Sequence, residues 1–475
     1  MNGRCACLRV CATTLCVGLL AAGTLRAAPA DDDWDPPAIR VPPTSSHGTR
    51  PIDELIEEGR RLFVTAFNRH DGAGRPAATG DVKPTRRLAI ATGFDRLSGP
   101  DASACVGCHN QPRAGGHGDY ASTVFVASAT RYAVATPDQG NAQALRRPPS
   151  LFGAGLLELL AREMTRDLVG QRDGALARAR AAGRDVSIDL SAKGVRFGSL
   201  VARSDGSYDA AGVSGVDPDL VVRPFGWRGQ AVSVREFTIT ALNQHHGIEA
   251  VERFGWERTG QRDFDEDGVE IEFTPAQVSS LALFVASLPA PRPARRATES
   301  AQLDRGRDAF ARAGCAGCHR PELTLADPIF TEPSPYNPPG TMRPQDLGTV
   351  FSLPLVADAG PVPVAAYTDL KRHRICDETD PFLCNEVSTR DGRPTGEFLT
   401  ADLWGVGQGP PYMHHGGCAT LSEAIRHHAG EATSARRAFL GLPDAAKRDL
   451  IAYLLSLGAS DDPSDNRDAD GVAGR

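Results

Sequence analysis

At 475 residues the chain is long enough for two or three domains with full-sized cores. Its 52 basic and 59 acidic residues give a net charge of -7 with the signs interspersed, which excludes a nucleic-acid binder and suits a protein that meets small redox partners. Gly (49) and Pro (35) are abundant and aromatics make up only 6%, so much of the chain is expected to be loop wrapped around cofactors.

Residues 1–30 read as a secretory signal. Arg4 and Arg9 precede an apolar run from Val10 to Leu25, and Ala28-Pro29-Ala30 precedes the acidic Asp31, Asp32 and Asp33. The competing reading is an uncleaved anchor, for which the run is short. Cleavage would deliver the protein to the periplasm or the exterior, with no membrane span left behind. It would also remove Cys5, Cys7, Cys11 and Cys16 and leave seven cysteines.

Residues 54–68 carry Leu55, Ile56, Gly59, Leu62, Phe63 and Ala66 at helical spacing. Next comes Cys105-Val106-Gly107-Cys108-His109, a Cys-x-x-Cys-His run, and a second copy, Cys315-Ala316-Gly317-Cys318-His319, lies two hundred residues on. Such runs hold c-type haem through two thioethers and one axial imidazole. Random placement of 11 Cys and 12 His gives on the order of 0.006 such pentapeptides. A zinc knuckle would need further Cys or His ligands beside each pair, and a thioredoxin-type pair would not need the histidine.

Between the two runs, segments 151–167 and 234–242 are apolar and helical in pattern, within a stretch (148–249) long enough to cover a cofactor or build a site. Asp263, Asp265 and Asp267, followed by Gly268, look like the start of a calcium loop, although Thr274 stands at the twelfth position; a solvated acidic turn is the alternative. Thr274-Pro275 opens a helix to Leu288, Pro289-Ala290-Pro291-Arg292-Pro293 is a stiff linker, and 302–313 repeats the first helix, sharing its Gly-x-x-x-Phe spacing through Gly306 and Phe310. Cys376 and Cys384 are placed to form a disulfide in an oxidising compartment, and Cys418 reads as a small buried hydrophobe. A closing helix follows Pro443, and the acidic tail beyond it reads as solvated.

The expected architecture is mainly α: two cytochrome c-type haem domains with long loops and a large insertion in the first. Its parts are a signal (1–30), an N-terminal domain (31–288), a linker (289–300), a C-terminal domain (301–460) and a tail (461–475).

The chain resembles the dihaem cytochrome c peroxidase superfamily, and most of all its dihaem oxidoreductase, peroxidase-like branch. The likeness runs from about Leu55 to Leu457. It rests on the two haem runs, on Arg147-Pro148-Pro149-Ser150-Leu151-Phe152-Gly153, on Phe398-Leu399-Thr400-Ala401-Asp402-Leu403-Trp404-Gly405, on Pro411-Tyr412-Met413-His414-His415-Gly416 and on Ala424-Ile425-Arg426-His427-His428. It implies His428 as second axial ligand of the haem on His319, with a helix C-terminal cap at His427 or His428 as the alternative, and His414 near the haem edge. It also implies Trp227 between the haems, although a buried Trp is by default core packing. Where the family's peroxidases carry a distal Glu, this chain has His245 and His246. Either suits acid–base work over an open haem on His109, and either can instead bind the iron; His117 is a third occupant for that position. The function so implied is a peroxidase-type oxidoreductase using hydrogen peroxide or oxygen and a small donor such as a cytochrome c or cupredoxin. A pure electron carrier and a haem oxidase acting on a protein or polymer are the rivals.

Overall fold

The computed structural model describes residues 50–74, 102–125, 143–291, 300–357, 360–384 and 396–457. The signal, residues 292–299 of the linker and the acidic tail lie outside the described residues. In chain order the helices longer than one turn are α1 (Ile52–Val64), α2 (Ala154–Ala182), α3 (Val234–Ala241), α4 (Pro275–Ser287), α5 (Ser300–Arg312), α6 (Leu421–Arg426), α7 (Thr433–Gly441) and α8 (Asp444–Leu455). Helix outweighs strand; the sheets are small, antiparallel, two- or three-stranded ones.

Two glycines seat two equivalent helix pairs. On α1, Leu55, Gly59, Leu62 and Phe63 form one buried stripe, and a Cβ on Gly59 would run into the Ser280 carbonyl of α4. Gly306 meets the Asp449 carbonyl of α8 in the same way. Only a residue without a side chain lets these backbones approach so closely. A capping box starts α4: Thr274 Oγ1 accepts from the Gln277 N–H (3.3 Å) while Gln277 Oε1 accepts from the Thr274 N–H (2.9 Å), with Pro275 at the first helical position.

The long connection after the first haem run is built on α2. Its first three turns are buried, and Gly183, at φ 62°, ends it. A hairpin follows, Val186–Ala192 against Val195–Ala202, turned by Lys193 (φ 49°) and Gly194 (φ 75°) as the right-handed strand twist favours. Tyr208–Asp209 adds a third strand. Leu160, Met164 and Leu168 of α2, Phe197 and Leu200 of the hairpin, and Leu323, Leu325, Phe330 and Trp404 from beyond the linker share one core.

Buried ion pairs reinforce that junction. Arg235 on α3 is fully buried; it donates to both carboxylate oxygens of Glu252 (3.0 and 2.7 Å), to Ser279 Oγ (2.8 Å) and to Glu332 on the strand Ile329–Glu332. Arg162 of α2 reaches the same strand through Thr331 Oγ1 (2.8 Å) and Thr331 O (2.8 Å). Removing one partner of such a buried pair costs about 3–5 kcal/mol, because the other charge is left without compensation.

Candidate functional site

The first Cys-x-x-Cys-His run folds as a 3-10 turn, Cys105–Gly107, in which the His109 N–H donates to Cys105 O at 3.0 Å. The His109 ring is then oriented from outside: Nδ1–H donates to Pro149 O at 2.9 Å, so Nε2 keeps its lone pair for a metal. Burial, only partly opposed by the bond to Pro149, lowers its pKa to about 4, which holds the imidazole neutral as ligation requires. Phe63 of α1 lies against the ring, 6.5 Å between centroids. The second run repeats this. Cys315–Gly317 forms the turn, His319 N–H donates to Cys315 O at 3.0 Å, and His319 Nδ1–H donates to Tyr367 O at 3.0 Å. Burial, with His428 next in effect, lowers the His319 pKa to about 4.

His428 faces His319. Its Nδ1–H donates to Ala424 O at 2.8 Å, at the C-terminal end of α6, and the ring centroids are 6.4 Å apart. Two imidazoles bound to one ion through bonds of about 2 Å have centroids roughly 6 Å apart, so the pair fits a single metal ion between them. His427 plays another part: it caps α6, stacks on Phe382 at 3.9 Å and pairs with Asp380 Oδ2 at 3.2 Å.

Around His109 the three other histidines differ. His245 and His246 lie in a single π-helical turn, Leu242–His246, directly after α3, a deformation frequent at functional sites. The buried His246 is locked sideways, its Nδ1–H donating to Ala102 O at 2.8 Å, its Nε2 3.5 Å from Cys105 Sγ and its ring 5.5 Å from Phe67. His245 and His117 both bear electrostatically on His109, each opposing its protonation. His117 is buried, with Nδ1–H donating to Gly118 O at 2.7 Å; its Nε2 is buried without a hydrogen-bond partner.

Trp227 is held between the segment around Arg147 and the strand Glu397–Leu399. Its Nε1–H donates to Arg147 O (3.1 Å), its carbonyl accepts from the Leu399 N–H (2.9 Å), and the Arg147 N–H donates to His414 O (2.9 Å). The Trp227 and His414 rings are 6.4 Å apart, and His414 stacks on Phe398 at 4.2 Å. Burial, then the neighbouring Arg146, pushes the His414 pKa down to about 2, so this ring is neutral. Arg147 and Pro149 belong to one segment, so the backbone that orients His109 is bonded to the loop carrying His414.

The carboxylates of Asp263, Asp265 and Asp267 converge to within 4.8 Å, and so do those of Glu249, Asp265 and Glu272. Asp265 is 2% exposed. Burial, with Asp263 adding to it, raises Asp267 to about 6, and burial with its acidic neighbours holds Glu272 well above the usual range. A small cleft, with room for about one water, is lined by Glu249, Phe254, Phe264 and Glu272 among others and adjoins them. Glu249 and Glu272 escape sequence reasoning, because they lie outside the spacing of a calcium loop. Cys376 and Cys384 form a disulfide, and Cys418 is buried.

A chain with two such Cys-x-x-Cys-His turns, one of them faced by a second imidazole, has the layout of a dihaem redox protein. Residues 360–457 match the family model described as "Di-haem oxidoreductase, putative peroxidase". Over this segment, about a fifth of its length, the chain is similar to the di-haem oxidoreductase family. A curated cytochrome-c peroxidase, IdrP2 of Pseudomonas sp. (strain SCT), is 29% identical over 154 residues. That match covers 32% of this chain and spans little more than a third (37%) of the relative's length. Among solved structures, a MauG-like protein associated with microbial copper homeostasis is 16% identical at a TM-score of 0.36, covering 90% of this chain and 95% of its own. The hydrazine synthase of Kuenenia stuttgartiensis is 12% identical at 0.34, covering 87% and 95%. Both are too distant to define shared side-chain geometry.

Proposed function

We propose that this chain is an exported dihaem c-type cytochrome that reduces peroxide, with a reactive haem on His109 and an electron-relay haem on His319 and His428. The observation that carries the reading is the contrast between the two turns: His319 is faced at 6.4 Å by a second oriented imidazole, whereas His109 is bordered by His245 on a π-helical turn. Cys105 and Cys108 would hold one haem and Cys315 and Cys318 the other. When bound, such a haem supplies an iron that moves electrons and, with one face open, takes peroxide. The chain's residues do the rest. His245 moves a proton between the two peroxide oxygens, acid–base work that an imidazole's two ring nitrogens allow. His246, turned toward Cys105, packs the attachment edge. Trp227 and His414 bridge the segments that orient the two sites. The donor is a small protein such as a cytochrome c or cupredoxin.

The acidic loop is proposed to bind calcium through Asp263, Asp265 and Asp267, with Glu249 and Glu272 beside them, because five carboxylates gathered around a partly buried site require cations or protons to compensate them.

One observation favours a second reading. The buried Nε2 of His117, close enough to oppose protonation of His109, suits a sixth iron ligand, and with both irons closed the chain would be an electron carrier. Low-temperature EPR of the oxidised protein with and without cyanide separates the two. One high-spin ferric signal that responds to cyanide supports the peroxidase; two low-spin signals indifferent to cyanide, even after one-electron reduction, support the carrier.

A further inference from the structure

Beside Cys318, a third histidine is held by two carboxylates. His373, on the strand Arg372–Arg374, has Nε2 2.9 Å from Asp369 Oδ2 and Nδ1 2.8 Å from Glu431 Oε2. A neutral imidazole offers one N–H and one lone pair, so carboxylates at both nitrogens require both to be donors. His373 is therefore an imidazolium. Burial acts to lower its pKa, but the bond to Asp369 leads the opposing effects and the net result is a rise to about 11. The ligating atoms of Cys318, Asp369 and His373 lie within 4.8 Å of one another, yet this is not a cation site, since neither ring nitrogen has a lone pair to give.

Both carboxylates are fixed in turn. Asp369 is 2% exposed and its Oδ1 accepts from the Lys371 N–H (3.0 Å); Glu431 Oε1 accepts from the Arg374 N–H (2.9 Å). Their positions in the chain give the arrangement its meaning. Asp369 lies two residues after Tyr367, whose carbonyl orients His319, and Glu431 lies three residues after His428. The Ala429 N–H also donates to Ile375 O (3.0 Å), so the strand and the His428 segment are already side by side. Bridging the two carboxylates ties the segment that aims one imidazole to the segment that delivers the other.

We propose that His373 is a positioning residue of the second centre, a fixed imidazolium that bridges Asp369 and Glu431 and thereby holds His428 over His319. This rests on the dihaem reading above. The test uses the haem-loaded full chain and its His373→Gln and His373→Arg variants, followed by haem count and low-temperature EPR. Gln reaches only one carboxylate, so H373Q with two haems should show part of the second haem's low-spin signal converted to high-spin, with the first haem's signal unchanged. Arg donates to both carboxylates through its fork and should restore the low-spin signal. An unaltered spectrum in H373Q, or equal loss in both variants, overturns the inference. If H373Q does not load haem, Glu431→Gln, at a half-exposed residue, gives the same readout: a high-spin fraction at the second haem alone supports the clamp, and a wild-type spectrum overturns it. Fewer than two haems in the unaltered protein overturns the dihaem reading itself, whereas two haems with an indifferent H373Q overturns only the role of His373.

Discussion

Replacing Gly153 with Ala tests how tightly the segment that orients His109 is held. Gly153 precedes α2 at φ 80°, a conformation that costs a residue with a Cβ roughly 1–2 kcal/mol. A Cβ there would also sit inside van der Waals contact with three ring atoms of Trp404, which is 7% exposed and packed in the shared core. Overpacking of this kind costs about 1–3 kcal/mol, for a sum of roughly 2–5 kcal/mol. Gly170 is the internal control: it lies on the exposed side of the same helix, where an added Cβ would meet nothing within 4 Å, and Ala there should stabilise by about 0.5–1 kcal/mol. Urea unfolding followed by far-UV circular dichroism would compare both variants with the parent. A Gly153→Ala protein within about 0.5 kcal/mol of the parent, or a Gly170→Ala protein that loses stability, refutes the packing argument.

Denatured protein should retain two covalent haems by the pyridine haemochrome assay, and Cys105→Ala and Cys315→Ala should each weaken one attachment only. His428→Ala should turn the second haem's low-spin ferric signal high-spin and raise its potential, as loss of a strong imidazole donor predicts; an unchanged EPR spectrum transfers the ligand role elsewhere. His245→Ala should slow peroxide turnover about a hundredfold or more, and His246→Ala less, in a steady-state assay; the reverse order exchanges their roles. Burial, outweighing the bond from the Trp404 N–H and the charge of Arg147, raises Asp402 to about 7. The folded state thus binds that proton more tightly than the unfolded chain, so the stability it contributes is full below about pH 4 and lost as pH climbs through 7; Asp402→Asn should flatten this part of a urea-midpoint profile. Calcium should raise the melting temperature and a chelator lower it, with Asp265→Asn abolishing the difference.

Much of this is legible in the sequence because it depends on local spacing. The Gly-x-x-x-Phe helices, their closing partners after Thr274-Pro275 and Pro443, and the attachment turns all follow from short-range pattern. The apolar pattern at 151–167 predicts a helix, but α2 runs on to Ala182, since its second half is charged on the exposed face and carries a weaker apolar signal. The hairpin at Val186–Ala202 is not among the expected elements, although its alternation, Val186, Ile188 and Leu190 against Ser187, Asp189 and Ser191, is visible in retrospect. His245 and His246 cannot be told apart in sequence; one π-helical turn sends them in different directions. The clamp of Asp369, His373 and Glu431 joins residues 58 positions apart, a pairing that no spacing rule contains.

The acceptors for His109 and His319 are both main-chain carbonyls, those of Pro149 and Tyr367. A carboxylate in either place would draw the Nδ1 proton toward itself, give the imidazole anionic character and make it a stronger electron donor to whatever it ligates. A peptide oxygen cannot take that proton. Under the dihaem reading, the histidines of both attachment runs would share the same kind of acceptor, which no single side-chain substitution can turn into a carboxylate; a redox difference between the haems would then come from their other surroundings, such as a second ligand, burial and nearby charge.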